Sequence, residues 1–561
     1  MSEGLTPELE REVRDWIAQD PDQATRDELA ALLAAGDAGV LHERFDRPLR
    51  FGTAGLRGVV AGGPGAMNRL VVRRTAAGVA DWVAAKGPAA PGAGIVVGRD
   101  ARNGSADFAR DTVEVVSSAG IAVAELPRPL PTPLAAFAVR HLGAAAGVVV
   151  TASHNPARDN GYKVYDADGS QIVPPADEAI EAASRRLAAR PAAPAAAPGA
   201  VRVLDEAELV AAYVAAIRED VDAEGLAGLR VAYTPLHGVG GAVVPGLLRD
   251  FGVEVAVVKE QADPDPAFPT VAFPNPEEPG ALDLVLALAA REDADLVVAN
   301  DPDADRLCVA ARAAQGGYRV LSGDQLGWVL GDARCAQSAG PDRLAATTIV
   351  SSSMLERIAI DCGVAFTETL TGFKWLARAA TGTGRRLVFA YEEALGYAVS
   401  GAVADKDGMS AALAICGIAA RAKAAGATLL DIVDGLEARH GVHATAQRNY
   451  RREGSSGVAE IAATVASLLE RPPRRLGGLD VRSVEDLAAG VDGLPTTEGV
   501  RLRAGDELRV VVRPSGTEPK LKAYLEVTGA PPGTSGLAAA RTAASALLDA
   551  ASRDVDAACG A

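Results

Sequence analysis

The chain has 561 residues, 48% of them hydrophobic and 23% charged. That is too long for one ordinary core, and the balance is that of a globular protein of about three or four domains. Its 73 acidic residues outnumber 56 basic ones, for a formal charge of −17. This charge repels phosphate backbones and argues against a nucleic-acid partner, while local basic residues can still receive a small phosphorylated molecule. The five cysteines (Cys308, Cys335, Cys362, Cys416 and Cys559) form no CxxC pair. They fit neither a disulfide framework nor a zinc site, and a cytoplasmic location is expected. Met1 to Asp22 holds no apolar signal core, and no uncharged apolar run reaches the roughly 18 residues that span a bilayer. No membrane partner is expected.

Residues up to about 45 read as helices rich in Glu, Arg and Ala. Phe51-Gly-Thr-Ala-Gly-Leu-Arg-Gly58 follows. Three glycines around Arg57 suggest a loop whose backbone approaches a ligand, and a tight turn with a solvated arginine is the alternative. Residues 67–86 have helical spacing. The strand Gly94–Gly98 is followed at once by Arg99-Asp-Ala-Arg102. A helix and a strand then lead to the apolar run Gly147–Val150, which ends in Thr151-Ala-Ser-His-Asn-Pro156. In open α/β sheets ligands bind at such strand ends. Asn160 and Lys163 lie close enough to fold over Ser153 and His154; a plain Ser/Asn/Pro turn is the alternative. The alternation of strand and helix predicts a parallel sheet covered on both faces. The Pro/Ala-rich stretch 190–199 reads as a surface connection.

A second α/β run begins at Leu229–Tyr233. It leads into Thr234–Gly241, a poor dinucleotide fingerprint in which His237 reads as structural. The strand Ala294–Ala299 ends in Asn300-Asp-Pro-Asp-Ala-Asp-Arg306. Asp301, Asp303 and Asp305, at alternate positions, can converge on one point. They repel one another unless a cation sits among them, and such hard oxygen ligands suit Mg²⁺. An EF-hand fails, because Arg306 and Arg312 stand where its glycine and glutamate belong. A solvated acidic turn is the remaining alternative.

A third run contains Gly323–Gln325, Thr371-Gly-Phe-Lys-Trp375 and the strand Leu387–Ala390, then Tyr391-Glu-Glu-Ala-Leu-Gly-Tyr397. The paired glutamates can accept hydrogen bonds from sugar hydroxyls or form the first turn of a helix. Asp405-Lys-Asp-Gly408 precedes an Ala-rich helix. In the last hundred residues the strand Leu508–Val512 enters Arg513-Pro-Ser-Gly-Thr-Glu-Pro519. A planar guanidinium with hydroxyl and backbone donors suits a phosphate dianion, and a Pro-Ser-Gly turn is the alternative.

Together these stretches resemble the α-D-phosphohexomutase superfamily, the phosphoglucomutases and phosphomannomutases. Thr151–Pro156, Asp301–Arg306, Glu392–Gly396 and Arg513–Pro519 stand in the family's order over nearly the whole chain. Phe51–Gly58, Phe268–Glu278 and Thr371–Trp375 look most like the phosphoglucomutase-2 branch, which includes phosphopentomutases and sugar-bisphosphate synthases. The resemblance implies four domains around a central cleft: α/β domains with mixed sheets over 1–204, 205–320 and 321–445, and a smaller α+β domain over 446–561. It implies a mutase exchanging hexose 1-phosphate and hexose 6-phosphate through a phosphoserine and a sugar 1,6-bisphosphate. The alternatives are a phosphopentomutase and a bisphosphate synthase.

By the same resemblance Ser153 carries the phosphoryl group. Ser153, Asp301, Asp303 and Asp305 hold one Mg²⁺. Arg57 and Lys163 flank the transferring group, Lys163 being a candidate acid/base, and His154 orients hydroxyls. Arg306 pairs with phosphate. Glu392, Lys374 and the backbone of Gly372 hold the sugar. Arg513, Ser515, Gly516 and Thr517 hold the phosphate that does not react. A sugar 1,6-bisphosphate is the expected activator, and the protein is expected to be a monomer or homodimer. Ala394 stands where many phosphoglucomutases have serine, which loosens the expected glucose preference.

Overall fold

The computed structural model describes residues 4–52, 55–189, 195–452, 457–491, 493–515 and 520–560. The chain divides into two compact units, Met1–Ala310 with Ser400–Gly417, and Ala311–Val399 with Ile418–Ala561.

The first unit opens with three helices, Pro7–Gln19, Gln23–Ala35 and Ala38–Phe45. Each starts where a short polar side chain accepts from an unpaired backbone N–H: Thr6 from Leu9, Asp22 from Ala24 and Asp37 from Val40. Their apolar faces meet in a cluster of Leu9, Val13, Trp16, Leu29, Leu41 and Phe45.

The next sheet has the order Leu56–Val59, Asp159–Asp166, Ala146–Val150, Ile95–Arg99, Val123–Glu125, Val201–Val203. The last four strands are parallel, as expected. The first two are not. Asp159–Asp166 runs antiparallel to Ala146–Val150, and Leu56–Val59 antiparallel to Asp159–Asp166. The turn 151–158 is too short for a crossover helix, so the chain returns as a hairpin and the sheet is mixed. Its register pairs Val149 with Lys163, which brings Lys163 back to the strand end that carries Ser153. Arg57 lies in a strand rather than in the expected loop. Of the 190–199 connection, 190–194 lie outside the described residues, and the N–H groups of Ala195 and Gly199 are fastened to Ser118 and Ser117 carbonyls.

A second sheet of this unit sets Glu254–Val257, Arg230–Thr234 and Leu296–Ala299 parallel, with the strand that begins at Cys308 beyond them. Leu296–Ala299 is fully buried and delivers Asp301 at its carboxyl end.

In the second unit, Ala365–Thr369, Arg343–Thr348 and Arg386–Glu392 are parallel, and Gly396–Ala398 closes the edge as an antiparallel hairpin. Glu392 is therefore the last residue of a strand, not the first turn of a helix. Leu395, with φ of 62°, makes the turn. The helix Gly323–Gln337 begins in a reciprocal cap between Ser322 and Gln325. The remaining sheet is antiparallel throughout: His443–Arg451, Lys520–Thr528, Leu508–Pro514, Val500–Ala504, Leu479–Asp486, Arg475–Leu476. Leu537, Ala544 and Val555 of the helix Gly533–Ala558 share its core with Val510, Val512 and Leu525. No single helix among the described residues is long and apolar enough to cross a membrane.

Candidate active site

Two strand ends of the first unit meet at Ser153. The turn after Ala146–Val150 puts Ser153 in the left-handed region, φ 53°, a conformation that costs a non-glycine residue about 1–3 kcal/mol and recurs at functional sites. Its hydroxyl donates to Asp301 Oδ2 at 2.7 Å and lies 3.1 Å from His154 Nδ1. Asp301, Asp303 and Asp305 are fully buried, and one oxygen from each lies within 4.8 Å of the others.

Two lysines answer this charge. Lys163 Nζ donates to Asp303 Oδ2 and Asp305 Oδ2, both at 2.8 Å. Lys406 Nζ stands 3.3 Å from Asp305 Oδ2. Thr132 adds a hydrogen bond to Asp303 Oδ2 at 2.9 Å. The titration behaviour splits accordingly. Burial, with Asp303 and Asp305 beside it, pushes the Asp301 carboxyl well above its usual range. Burial acts the same way on Asp303 and Asp305, but Lys163, and for Asp305 also Lys406, carry both below that range. Burial disfavours the Lys163 ammonium, and its two carboxylate partners outweigh that, so it holds its proton tightly.

The lysines fill only one side of the aspartates. The buried Oδ1 atoms of Asp303 and Asp305 have no hydrogen-bond partner among the described residues. Unfilled buried carboxylate oxygens are costly, and hard oxygen donors in this number suit a small dication. The residues fit a metal ion.

Other predicted residues fall around this centre. Arg57 is paired through Nη1 with Asn155 Oδ1 at 3.2 Å. The backbone N–H of Arg306 donates to Asp301 Oδ1, and its guanidinium reaches Glu277 at 3.4 Å. Burial, then the nearby Arg306 and Arg57, hold His154 neutral. His237 donates or accepts at Thr270 Oγ1, 2.8 Å away, which matches the structural reading.

The sugar and phosphate stretches lie in the second unit. Gly372, φ 113°, starts the short helix Phe373–Leu376 that carries Lys374. Glu392 is buried at its strand end. Arg513 ends the buried run of Leu508–Pro514, and the Ser515 N–H donates to the Lys520 carbonyl at 2.8 Å. Gly516 and Thr517 lie outside the described residues.

Sequence reasoning missed Lys406. The signal was the charged triplet Asp405-Lys-Asp407 before an apolar helix, read only as a preface. All three are buried. Asp405 Oδ2 accepts from Tyr165 and Gln171, and Asp407 Oδ2 from Tyr213. These bonds fix the turn that presents Lys406.

Comparison with known proteins agrees with this geometry. Residues 48–190, 211–316 and 322–438 match the phosphoglucomutase/phosphomannomutase alpha/beta/alpha domains I, II and III, and 460–539 match the C-terminal domain of that family. A probable phosphomannomutase of Haemophilus influenzae is 39% identical over 83% of this chain and 94% of its own. A phosphopentomutase of Homo sapiens is 34% identical over 95% of this chain and 93% of its own. The crystal structure of a putative phosphomannomutase from Thermus thermophilus superposes with a TM-score of 0.66 at 28% identity, covering 88% of this chain and 98% of that one.

Proposed function

Because the chain belongs to the phosphoglucomutase/phosphomannomutase family, we propose that it is a mutase exchanging hexose 1-phosphates and hexose 6-phosphates through a phosphorylated Ser153. The observation that carries this reading is the Ser153 hydroxyl, held 2.7 Å from one of three buried, incompletely partnered aspartates.

In this reading Asp301, Asp303 and Asp305, with Ser153, hold Mg²⁺, which supplies charge stabilisation for the transferring phosphoryl group. The chain's own residues do the rest. The bond from phosphorus to Ser153 Oγ breaks as a bond to the sugar hydroxyl oxygen forms, and the hydroxyl proton ends on Oγ. Lys163 serves as a fixed cation rather than as an acid or base, since two carboxylates hold its proton. Arg57 and Arg306 add positive charge on the same side, and neutral His154 orients the hydroxyl. In the second unit Glu392, Lys374 and Gly372 grip the sugar, and Arg513, Ser515, Gly516 and Thr517 bind the phosphate that is not reacting. Two phosphate-binding sets suit a mutase, which handles a bisphosphate; a hydrolase needs one. A sugar 1,6-bisphosphate primes the serine. We place the domain boundaries after 204 and 320, supported by the sheets and the matched spans, and the third just before the strand His443–Arg451 rather than after 445, because that strand already belongs to the last sheet.

Intact-mass analysis and peptide mapping are expected to find one phosphate on Ser153. Ser153→Ala removes it and lowers kcat by several orders of magnitude, the usual cost of losing a covalent nucleophile. Near-normal turnover in that variant would sink the reading.

A pentose 1-phosphate is the second substrate to assay, because the human phosphopentomutase matches nearly the whole chain and Ala394 offers no hydroxyl to the sugar. Ala394→Ser is expected to favour glucose 1-phosphate over mannose and pentose 1-phosphates by about 1–3 kcal/mol, the cost of one buried unmatched polar group. Comparing kcat/KM for the three sugars checks this. Wild-type protein already selective for glucose contradicts it.

A further inference from the structure

One buried cation beside Ser153 takes no part in the scheme above. Arg102 sits in the turn after the strand Ile95–Arg99, and its side chain is 1% exposed. It meets backbone rather than a carboxylate triad. Nη2 donates to the carbonyls of Ser153 at 2.5 Å and Asn155 at 2.7 Å. Nη1 donates to those of Pro156 at 2.8 Å and Asp159 at 3.2 Å. The turn 153–159 is curled around one guanidinium, with its carbonyls pointing inward.

The guanidinium is itself fixed from two other directions. Nε lies 3.3 Å from Asp100 Oδ2, and Asp100 Oδ1 accepts from the Arg102 N–H and from Ser105 Oγ. The ring of Phe268 lies under its charge, 5.0 Å to the centroid, a cation–π contact from the sequence that follows Glu254–Val257. Phe268 is buried, and the Asp265 N–H just before it donates to the His237 carbonyl. Two residues further, the Val239 N–H donates to the carbonyl of Pro302, between Asp301 and Asp303. One continuous set of contacts thus runs from the serine turn through Arg102 and Phe268 to the aspartate loop.

We propose that Arg102 is a positioning residue for phosphoryl transfer: backed by Asp100 and Phe268, it holds the turn 153–159 in the shape that aims Ser153 Oγ at Asp301. The proposal rests on Ser153 being the phosphoryl carrier. Arginine suits the site because four carbonyl acceptors share its two terminal nitrogens. A lysine offers three donors from a single point and leaves buried carbonyls unfilled. The left-handed Ser153 is a conformation that persists only where its surroundings impose it, and these bonds supply that constraint.

The test compares wild type with Arg102→Lys, Phe268→Leu and the conservative Phe268→Tyr. The readouts are kcat and KM with hexose 1-phosphate, Mg²⁺ and glucose 1,6-bisphosphate, and amide hydrogen exchange along the chain. Arg102→Lys is expected to lower kcat about 100-fold, the scale on which a displaced reacting group loses rate. KM should stay within about threefold, since the sugar grip is elsewhere. Amides of 153–159 should exchange about tenfold faster while those of the sheet strands keep their protection. Phe268→Leu should reproduce this pattern more weakly, and Phe268→Tyr should restore wild-type values.

A kcat within about twofold of wild type in Arg102→Lys, or exchange rising everywhere in step with lost activity, overturns the positioning role. If Arg102→Lys does not fold, the Phe268 pair decides: a silent Phe268→Leu, or a Phe268→Tyr no better than it, overturns the proposal. Mapping wild-type Ser153 separates this proposal from the one beneath it. No phosphate on Ser153 overturns the mutase reading and the catalytic meaning of the clamp together. Phosphate on Ser153 with undiminished turnover in Arg102→Lys overturns the clamp alone.

Discussion

Each unit buries carboxylates against cations, and the two clusters are finished differently. In the first unit Lys163 and Lys406 meet Asp303 and Asp305 on their Oδ2 atoms only, and both Oδ1 atoms lack a hydrogen-bond partner among the described residues. In the second unit Glu526 is filled on both sides. Its Oε1 accepts from Ser352 Oγ at 2.8 Å, the Ser353 N–H at 2.7 Å and His443 Nδ1 at 3.0 Å, and its Oε2 pairs with Arg509 at 2.7 Å. Arg509 in turn donates to Glu368 at 2.9 Å and to the Ser351 carbonyl. Buried charge alone does not mark a site. Buried carboxylate oxygens left unfilled do, because they can still take a cation.

The largest expected effect breaks the closed network. Arg509→Met removes the arginine from buried Glu526, while Glu368 keeps Arg501 at 3.7 Å, and is expected to destabilise the protein by about 3–5 kcal/mol, as for other buried pairs that lose one partner. Calorimetry or denaturant unfolding measures it. The same substitution should leave Mg²⁺ affinity unchanged; a shift there would mean that the closed network is not merely structural.

The open cluster should respond the opposite way. Asp303→Asn removes a metal ligand and a repelling charge together. Turnover is expected to fall by about 10²–10³-fold, the scale of losing one preorganised electrostatic group, equivalent to about 2.7–4 kcal/mol. The fold is expected to survive, because Lys163 keeps Asp305 as its partner. Activity that survives excess chelator in wild type, or an unfolded Asp303→Asn variant, contradicts the assignment.

A pH series sharpens the comparison within the second unit. Burial opposes ionisation of Glu526, but Arg509 and His443 outweigh it and hold its carboxyl down to about 2, against an ordinary 4.5. Its stabilisation is complete above 4.5 and is lost as pH falls toward 2, amounting to roughly 3 kcal/mol at most. Burial pushes Asp324 the other way, from 3.8 up to about 7. Its protonated form is favoured, so that contribution is complete below 3.8 and is lost as pH rises through 7. Melting temperature followed over this range is expected to lose its acid slope in Glu526→Gln and its slope toward neutrality in Asp324→Asn. Parallel curves for wild type and variants would contradict both.

Much of the site is legible along the chain because its parts are local. Ser153, the aspartates, Glu392 and Arg513 each close an apolar run, and a strand must end where its apolar residues end. What could not be read is whatever depends on pairing. The resemblance implies mixed sheets, but the particular hairpin that makes the first one mixed follows from the length of 151–158 only once Asp159–Asp166 is known to be a strand. Lys406 looks like solvated charge until Tyr165, Gln171 and Tyr213 are found holding its neighbours. Arg102 looks like any turn arginine, because its partners are carbonyls, and every residue has one.

The sequence by itself therefore determined the family, the α/β runs and the chemistry at each strand end, since side-chain type and apolar periodicity are properties of short segments. The tertiary structure alone decided which charges meet and which are left open. Hydrogen bonds and ion pairs are set by ångström distances between residues far apart in the chain: Lys163 comes to Asp303 and Asp305, and Arg102 comes to Phe268, only when the strands between them have packed. That is why the oxygens of Glu526 are filled while Oδ1 of Asp303 and of Asp305 lack a partner among the described residues, although both clusters are written in similar residue types.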